Sequence, residues 1–555
     1  MSDALVNDFV NSLVSGLKGR TLTSCSRWSA NRRVMGEPFP GPYSWKYHPW
    51  VREILDSQAS FNYSMKAAQI GLTEVAINRA FYVIDVLKRD VLYVLPTALN
   101  ATKFSKTRFA TALKHSPYLA SIFTDTNTVN LKQAGTCNLY ISGSRGDSNL
   151  KSIPVSDLIL DEVDEMDEAQ IWLALERLSG QLHKTVWGLS TPTIPNQGIH
   201  KLYLGTTQEH FFFVCPHCSR HTELVWPDCV EIIGEAVNDP RCHESFLKCR
   251  ECKHRLEHKA KPEFLSDGFF QPTAPNSNPD CRGFYVNQLY SYTVTPGEIV
   301  VAHFRGFGDE AANHEFHKSK LGLPFVGHGA QVSDEQIDKA ISKHSKADMP
   351  PTDGRRLITM GVDQGKWCYA EIAEWFNVEY THDIHAVAVK KILFELKFLE
   401  DEWHLLDELM HTWQVRAAVI DADPQINEAR AFARRFPGFV WLCRYRRGQV
   451  AKEIAITDED TGAPMATVDR TNWLSCALGR YRTPGRILLP QDVSLEYREH
   501  IKSPIRTYVE DENGNPVATY KETGPDHFAH SSVYSEIALP LAAAQVTGRS
   551  IQSFW

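Results

Sequence analysis

The amino-acid sequence predicts an α/β protein of two domains with a small cysteine-rich module between. Three observations predict it. Short β-rich runs alternate with helical ones over residues 60–192, the rhythm of a parallel sheet with crossover helices. The rhythm restarts after ADMPPTDGRR (347–356), where Pro350, Pro351 and Gly354 follow a polar helix and suit an interdomain linker. Residues 211–256 interrupt it with two C-x-x-C pairs.

Composition narrows the function classes. A chain of 555 residues exceeds one compact core and corresponds to roughly three to four units of about 150 residues. With 43% hydrophobic and 23% charged residues it is neither disordered, collagenous nor a coiled-coil rod. A net charge of −8 means that any polyanion must be met by local basic patches. No apolar run reaches the length of about 18 residues that a membrane span needs; the longest uncharged stretch near the C-terminus, 537–548, has 12. The N-terminus carries Asp3 and Asp8 where an export signal would be basic, so a reducing cytoplasm is expected. In that compartment 12 cysteines are too sparse for a disulfide scaffold, and paired C-x-x-C suggests metal.

The elements follow in order. Leu5, Phe9, Leu13 and Leu17, with Val6, Val10 and Val14 beside them, predict an amphipathic helix ending near Gly19. A loop rich in Arg, Pro and Gly is expected over 27–43. The first α/β domain comprises strand FNYSM, helix TEVAINRAFYVIDVLK, strand VLYVLPT, a helix around 103–113, and strands NLYISG, DLILDE and KTVWGLSTP. The second comprises RLITMGVDQG and YAEIAEWF, a helix at about 400–413, RAAVIDAD, a helix around 429–436, and FVWLCRY. Expected boundaries are an N-terminal helix and arm (1–45), a P-loop-type domain (46–330, with the cysteine module at about 211–256), a linker (331–356), a second α/β domain (357–545) and a tail (546–555).

MKAAQIGLTE (65–74) leaves a strand and opens a helix, the setting in which a loop and helix N-terminus cradle phosphate. Against G-x-x-x-x-G-K-[ST], Gly71 and Thr73 fit, Leu72 stands in the lysine position, and Lys66 stands where the first glycine should be. The chemistry needs one cation near the β- and γ-phosphates and a hydroxyl for Mg²⁺, and a lysine at the start of the loop reaches the same phosphates. Lys66, Ala67, Ala68, Gln69, Ile70, Gly71, Leu72 and Thr73 are therefore the candidate ATP loop. About ninety residues on, strand DLILDEVDEM ends in Asp161, for Mg²⁺, and Glu162, to orient water. WGLSTPT then places Ser190 and Thr191 at a carboxyl end, where ligand contacts gather in an open parallel sheet.

Cys215, Cys218, Cys249 and Cys252 form two knuckles separated by 30 residues, spacing that an extended hairpin accommodates around a structural Zn²⁺. His217, His221 and His254 are alternative ligands. In the second domain Asp363 and Asp421 end apolar strands and Asp526 opens a helix, the way an RNase H-like nuclease gathers carboxylates for two divalent ions. Asp423, His527 and His530 are spares. Arg430, Arg434, Arg435, Arg444, Arg446 and Arg447 flank Asp421 and either hold a phosphate backbone or face solvent.

Taken together, these pieces resemble the large terminase subunit of tailed double-stranded DNA phages, in its lambda-like branch, over residues 26–539. The resemblance rests on KAAQIGLTE with its early lysine, LPTALNATKFSKTRF, GSRGDSNLKS ahead of LILDEVDE, STPT, the two knuckles, GVDQG, VIDAD, RTPGRILLP and GPDHFAHS. It implies an ATPase motor that drives genomic DNA through a portal into a procapsid, and an endonuclease that cuts concatemers. The implied cofactors are ATP, Mg²⁺ (or Mn²⁺ at the nuclease) and Zn²⁺. The implied partners are double-stranded DNA, a small terminase subunit and the portal protein, around a homo-oligomeric ring in the host cytoplasm. By the same resemblance Lys66 binds phosphate, Asp161 and Glu162 serve Mg²⁺ and water, and Ser190, Thr191, Pro192 and Thr193 form a coupling motif. Asp363, Asp421 and Asp526 hold the nuclease metals, and Arg145 is offered as the charge-stabilising arginine. A nucleic-acid-remodelling ATPase with a non-cutting RNase H-like platform is the competing expectation. A zinc-bearing scaffold with a dead nucleotide pocket, resting only on Leu72, is a third.

Overall fold

In the computed structural model the chain divides into two units, Met1–Phe325 and Val326–Trp555, each considered by itself. The structure describes residues 24–124, 126–145, 153–274, 277–327, 329–348, 356–380, 383–446, 454–457, 463–510 and 516–554. The expected N-terminal helix lies outside them.

The first unit is built on parallel strands β1 (Phe61–Lys66), β2 (Val91–Leu95), β3 (Cys137–Gly143), β4 (Asp157–Asp161), β5 (Thr185–Ser190), β6 (Glu209–Val214) and β7 (Cys281–Val286). Their order is β6-β7-β1-β5-β4-β2-β3, each neighbour parallel to the next. Strands β2, β4 and β5 are buried along their whole length, which is why they appear as unbroken apolar runs and not as alternation. Helix α1 (Leu72–Tyr82) leaves the end of β1 and buries Val75, Ala76, Ile77 and Ala80 against the sheet. Antiparallel strands extend both edges: Leu131–Ala134 beside β3, and Phe269–Pro272 and His221–Thr222 beside β6.

Two expectations for this unit are corrected. The stretch 27–43 is not a plain loop: it holds most of helix Cys25–Arg32, capped by the Ser24 side chain, and the strand pair Val34–Met35 with Gly41–Pro42. The helix sequence CSRWSANR is too polar to announce itself; burial of Trp28, whose Nε1 donates to Asp85 (2.8 Å), holds it. The cysteine module also begins later than residue 211, because β6 pairs with β7 in the main sheet. Beyond it stands a separate antiparallel sheet of Val230–Glu231, Phe246–Lys248 and Arg255–Leu256.

The second unit carries a mixed sheet. Strands β8 (Leu357–Asp363), β9 (Trp367–Phe376) and β10 (Val389–Leu399) are antiparallel. On the other side of β8 lie β11 (Ala417–Asp421), β12 (Val440–Tyr445) and β13 (Met465–Val468), all parallel to it. Three antiparallel strands continued by parallel ones is the RNase H-like pattern. Helix α2 (Ile426–Arg435) connects β11 to β12, and α3 (His527–Thr547) packs along β8. The described part of the expected linker, 331–348, belongs to this unit: helix Asp334–Ala340 buries Ile337, and Ser342 N donates to Leu489 O. The Pro350 to Gly354 stretch lies outside the described residues.

The core of the second unit also holds charge. Lys390 Nζ is 2.8 Å from Glu371 Oε1 and 3.6 Å from Glu536 Oε1; Arg480 grips Glu536 through Nε (2.5 Å) and Nη2 (2.9 Å). Although burial opposes it, Arg480 and Lys390 hold the Glu536 carboxyl far below the usual range.

Helix α3 reaches β8 through Gly361, where an added Cβ would overlap Ser531 O and Ser535 N of the helix backbone. Gly361→Ala is therefore expected to destabilise the second unit by about 1–3 kcal/mol, read as a lower urea midpoint of its unfolding transition.

Candidate functional site

Lys66 is the last residue of β1, and its ammonium reaches across the carboxyl edge of the sheet to Glu162 Oε1 at 3.4 Å. The loop that follows is pinned from four directions. Val286 O accepts from Ala67 N and Ser319 O from Ala68 N, while Gln288 Nε2 donates to Ala68 O and Trp50 Nε1 to Ile70 O. Gln69 (φ 56°) and Gly71 (φ 85°) take left-handed backbone, so the chain turns sharply into α1, whose first N–H groups have no partner within the helix. Leu72 is buried in the core, so this position contributes packing and not charge; Thr73 is half-buried in the first turn.

Asp161 ends β4 two strands from β1. Tyr93 Oη donates to its Oδ2 at 2.5 Å, while its Oδ1 is buried with no hydrogen-bond partner. Burial, and then the neighbouring Glu162, push the Asp161 carboxyl above the usual range; Lys66 opposes the shift. An unsatisfied buried carboxylate oxygen suits a hydrated divalent cation. Glu162 stands in left-handed backbone (φ 61°), which turns its carboxylate toward Lys66 and, at 3.4 Å, toward Ser190 Oγ.

The structure adds Asp164, which no motif spacing in DLILDEVDEM singles out from the acids around it. Its oxygens accept from Thr193 N (2.6 Å) and Ile199 N (2.7 Å), and its own N–H donates to Ser190 Oγ (3.2 Å). The segment from Ser190 to Thr193, with Thr191 buried, is thereby tied to the acidic strand. Arg145 is exposed at the edge of residues 146–152, which lie outside the described residues.

The four cysteines converge. The sulfurs of Cys215, Cys218, Cys249 and Cys252 all lie within 4.8 Å of one another, and Cys215 to Cys252 is 4.0 Å. Two tight turns present them: Ser219 N donates to Cys215 O and Lys253 N to Cys249 O, with Ser219 and Lys253 at positive φ. Tetrahedral Zn–S bonds of about 2.3 Å place sulfurs about 3.8 Å apart, so the cluster fits that ion.

In the second unit β8 and β11 are neighbouring parallel strands with Val362 opposite Ile420, so Asp363 and Asp421 end side by side. Burial, and then the charge of Asp363, push the Asp421 carboxyl up to about 6. Two carboxylates side by side at neighbouring strand ends offer the oxygen donors that a divalent ion takes. Helix α3 brings Asp526 to this region, but its Oδ2 lies 3.2 Å from His530 Nε2 and 3.6 Å from Arg470 Nη2. From α3, His527 Nδ1 is 2.8 Å from Asp363 Oδ2, and Tyr534 hydrogen-bonds the Asp421 carboxylate. Asp423 is engaged by Arg444 (2.9 Å) and Arg435 by Asp407 (2.8 Å), so these two arginines of the basic runs are paired; Arg447 lies outside the described residues.

These folds and strand-end clusters define a class: a P-loop-type ATPase unit followed by an RNase H-like nuclease unit. Residues 37–269 match the family model described as phage terminase large subunit gpA, ATPase domain, and residues 281–538 match terminase large subunit gpA, endonuclease domain. The chain belongs to the phage terminase large subunit family. It is 21% identical over 356 residues to the terminase large subunit of Escherichia phage lambda, a match that spans 58% of this chain and 55% of that protein. The crystal structure of the large terminase of bacteriophage HK97 is similar at 10% identity and a TM-score of 0.47, covering 94% of this chain and 99% of that one. Among the described residues no helix is long and apolar enough to cross a membrane.

Asp164→Ala would leave two buried backbone N–H groups without their acceptor. A loss of about 2–4 kcal/mol in the first unit is expected, and a smaller one for Asp164→Asn, measured by denaturant unfolding.

Proposed function

We propose that this chain is a DNA-packaging motor and endonuclease: it cuts concatemeric phage DNA and uses ATP hydrolysis to drive that DNA into a procapsid. The observation that carries the reading is one chain holding both Lys66 beside Glu162 across a parallel sheet and the adjacent Asp363 and Asp421 on an RNase H-like sheet. Double-stranded DNA is the substrate. The partners are a small terminase subunit and the portal protein, and the working form is a homo-oligomeric ring in the host cytoplasm.

At the ATP site, Lys66 neutralises phosphate charge and the N–H groups from Gln69 to Thr73 line the loop around it, those of Ala67 and Ala68 being taken by Val286 O and Ser319 O. Asp161 and Thr73 hold Mg²⁺, which when bound neutralises charge on the β- and γ-phosphates. Glu162 accepts the proton of the attacking water, and its approach to Lys66 fixes it there before nucleotide arrives. Ser190, within reach of both Glu162 and Asp164, transmits the state of the site to the segment behind it. Arg145 is the charge-stabilising arginine. Cys215, Cys218, Cys249 and Cys252 hold a structural Zn²⁺, four thiolates closing its coordination shell. At the nuclease, Asp363 and Asp421 hold Mg²⁺ or Mn²⁺, which when bound stabilises the attacking and leaving oxygens of phosphodiester hydrolysis, with α3 completing the site.

The test is a crossed pair of assays on the full chain. Glu162→Gln is expected to retain ATP binding and lower hydrolysis by at least about a hundredfold. Lys66→Ala should weaken nucleotide binding, and Leu72→Ala should be mild. Asp363→Ala is expected to abolish plasmid linearisation in Mn²⁺ or Mg²⁺ while ATP hydrolysis continues. Linearisation that persists in Asp363→Ala would leave the non-cutting remodelling ATPase as the better reading.

Freshly purified protein is expected to contain one zinc per chain, lost to chelators together with the local fold. Elemental analysis without zinc, and no uptake by the metal-free form, would remove zinc from the account.

A further inference from the structure

Apart from the strand-end carboxylates, the second unit carries a cleft of about 400 Å³ whose lining includes His385, Ser475, Cys476, Arg480, Thr483 and Arg486. Cys476 stands on helix Arg470–Gly479, half-buried, with the cleft beside it. Its neighbours belong to the buried ionic cluster. The ligand atoms of His385, Cys476 and Glu536 lie within 4.8 Å of one another, and Cys476 Sγ is 4.0 Å from Glu536 Oε2. Three such donors suggest a metal ion, but Glu536 is already gripped by Arg480 through both oxygens and has Lys390 Nζ at 3.6 Å. A divalent ion would sit among cations, so the chemistry open to this grouping is that of the thiol.

His385 is 5% exposed, and its ring is held on the Nδ1 side by Glu536 Oε2 at 3.1 Å. Arg480 Nη2 converges on the same oxygen at 2.9 Å. The other ring nitrogen, Nε2, is buried with no hydrogen-bond partner, in a ring that lines the cleft with Cys476. A carboxylate on Nδ1 keeps a proton there and leaves Nε2 as the base. The surrounding charges permit a proton to move from sulfur to ring. Glu371 and Glu536 face Lys390 and Arg480, two of each sign, and Asp383 and Arg486 add one more of each. A thiolate and an imidazolium formed together leave that balance unchanged. Although burial opposes it, Cys476 and then Glu536 raise the His385 ring to about 9. A partly exposed thiol beside an imidazolium and arginines is the setting of reactive cysteines.

We propose that Cys476 is a modification site, a thiol activated by His385 that forms a mixed disulfide with small anionic disulfides entering the cleft. The thiol proton passes to His385 and the thiolate attacks one sulfur of the incoming disulfide. That S–S bond breaks as the new one forms, and the departing thiolate takes the proton back from His385. Cys476 is oxidised, one half of the incoming disulfide is reduced, and no other reactant is needed. Arg480 and Arg486 select for negative charge, since among the described residues lining the cleft none is acidic. Glu536 is a positioning residue that holds Nδ1. The inference is independent of the ATP and nuclease readings.

The full chain carries its own control. Cys281 is the other half-buried cysteine outside the two knuckles, and there burial and then Asp280 push the thiol up. The test is timed reaction at neutral pH with glutathione disulfide, which is anionic, and with cystamine, which is cationic, read site by site by peptide mass mapping. Each rate is normalised to that of the uncharged model thiol N-acetylcysteine amide. Cys476 is expected to react with glutathione disulfide at least about tenfold faster than Cys281. It should prefer glutathione disulfide over cystamine by about threefold or more at low salt, a preference that shrinks as salt is added. His385→Gln should slow Cys476 by about tenfold and leave Cys281 unchanged. Arg486→Gln should reduce the preference for the anionic disulfide while reaction with uncharged hydroxyethyl disulfide persists. If His385→Gln does not fold, the wild-type ratio of Cys476 to Cys281 and the Arg486→Gln result decide. A Cys476 that reacts no faster than Cys281, or equally fast in folded His385→Gln, overturns the activated thiol. Normalised rates with cystamine equal to or above those with glutathione disulfide overturn the selection for anions.

Discussion

A strand buried on both faces cannot carry unpaired charge along its length, and the strands that end at the two sites are organised by that constraint. Desolvating an unpaired carboxylate in the middle of β4 or β11 would cost several kcal/mol, so ionisable groups collect where strands end. In the first unit this gathers Lys66, Asp161, Glu162 and Ser190 at the carboxyl edge of three neighbouring strands. In the second it puts Asp363 beside Asp421. The same burial that expels charge from the strands also acts on what remains at the edge, raising the carboxyl groups of Asp161 and Asp421.

The parts of this arrangement most legible in the sequence are those the constraint writes locally. Apolar runs such as VLYVL, and LIL between Asp157 and Asp161, mark the strands, and the polar residues at their ends mark the place where chemistry collects. The early lysine was legible because the phosphates need a cation at a place, not at a particular letter of a motif. What stayed hidden depends on partners distant in sequence. Strand β10, KKILFELKFL from Lys390 on, mixes charge with apolar residues because Lys390 is paired inside with Glu371, and no local pattern shows that. The role of Asp164 depends on N–H groups 29 and 35 residues away. His527 was noted only as a spare because the Tyr369 ring that orients it belongs to a strand 158 positions earlier.

The buried ionic cluster of the second unit needs its own account. Glu536 accepts from Arg480 through both oxygens and lies near Lys390 and His385, all at the packed middle of α3. Replacing such a cluster by apolar side chains often costs nothing in stability, whereas removing one member strands the rest. Helix α3 shows little amphipathic pattern because nearly every side of it from Phe528 to Ala543 is buried, and among those buried positions Glu536 is the one that meets Arg480, Lys390 and His385.

Gly361 lets the backbone of α3 approach the backbone of β8 without a side chain between them. His527, four residues before Ser531 on α3, and Asp363, two residues after Gly361 on β8, meet through their side chains beside that seam, where main-chain contact holds the two backbones close. The ordering entropy of such a pair is lost once, during folding. A nuclease site built beside such a seam would take up and release a divalent ion without refolding its walls, whereas cysteine knuckles that depended on an ion for shape would not.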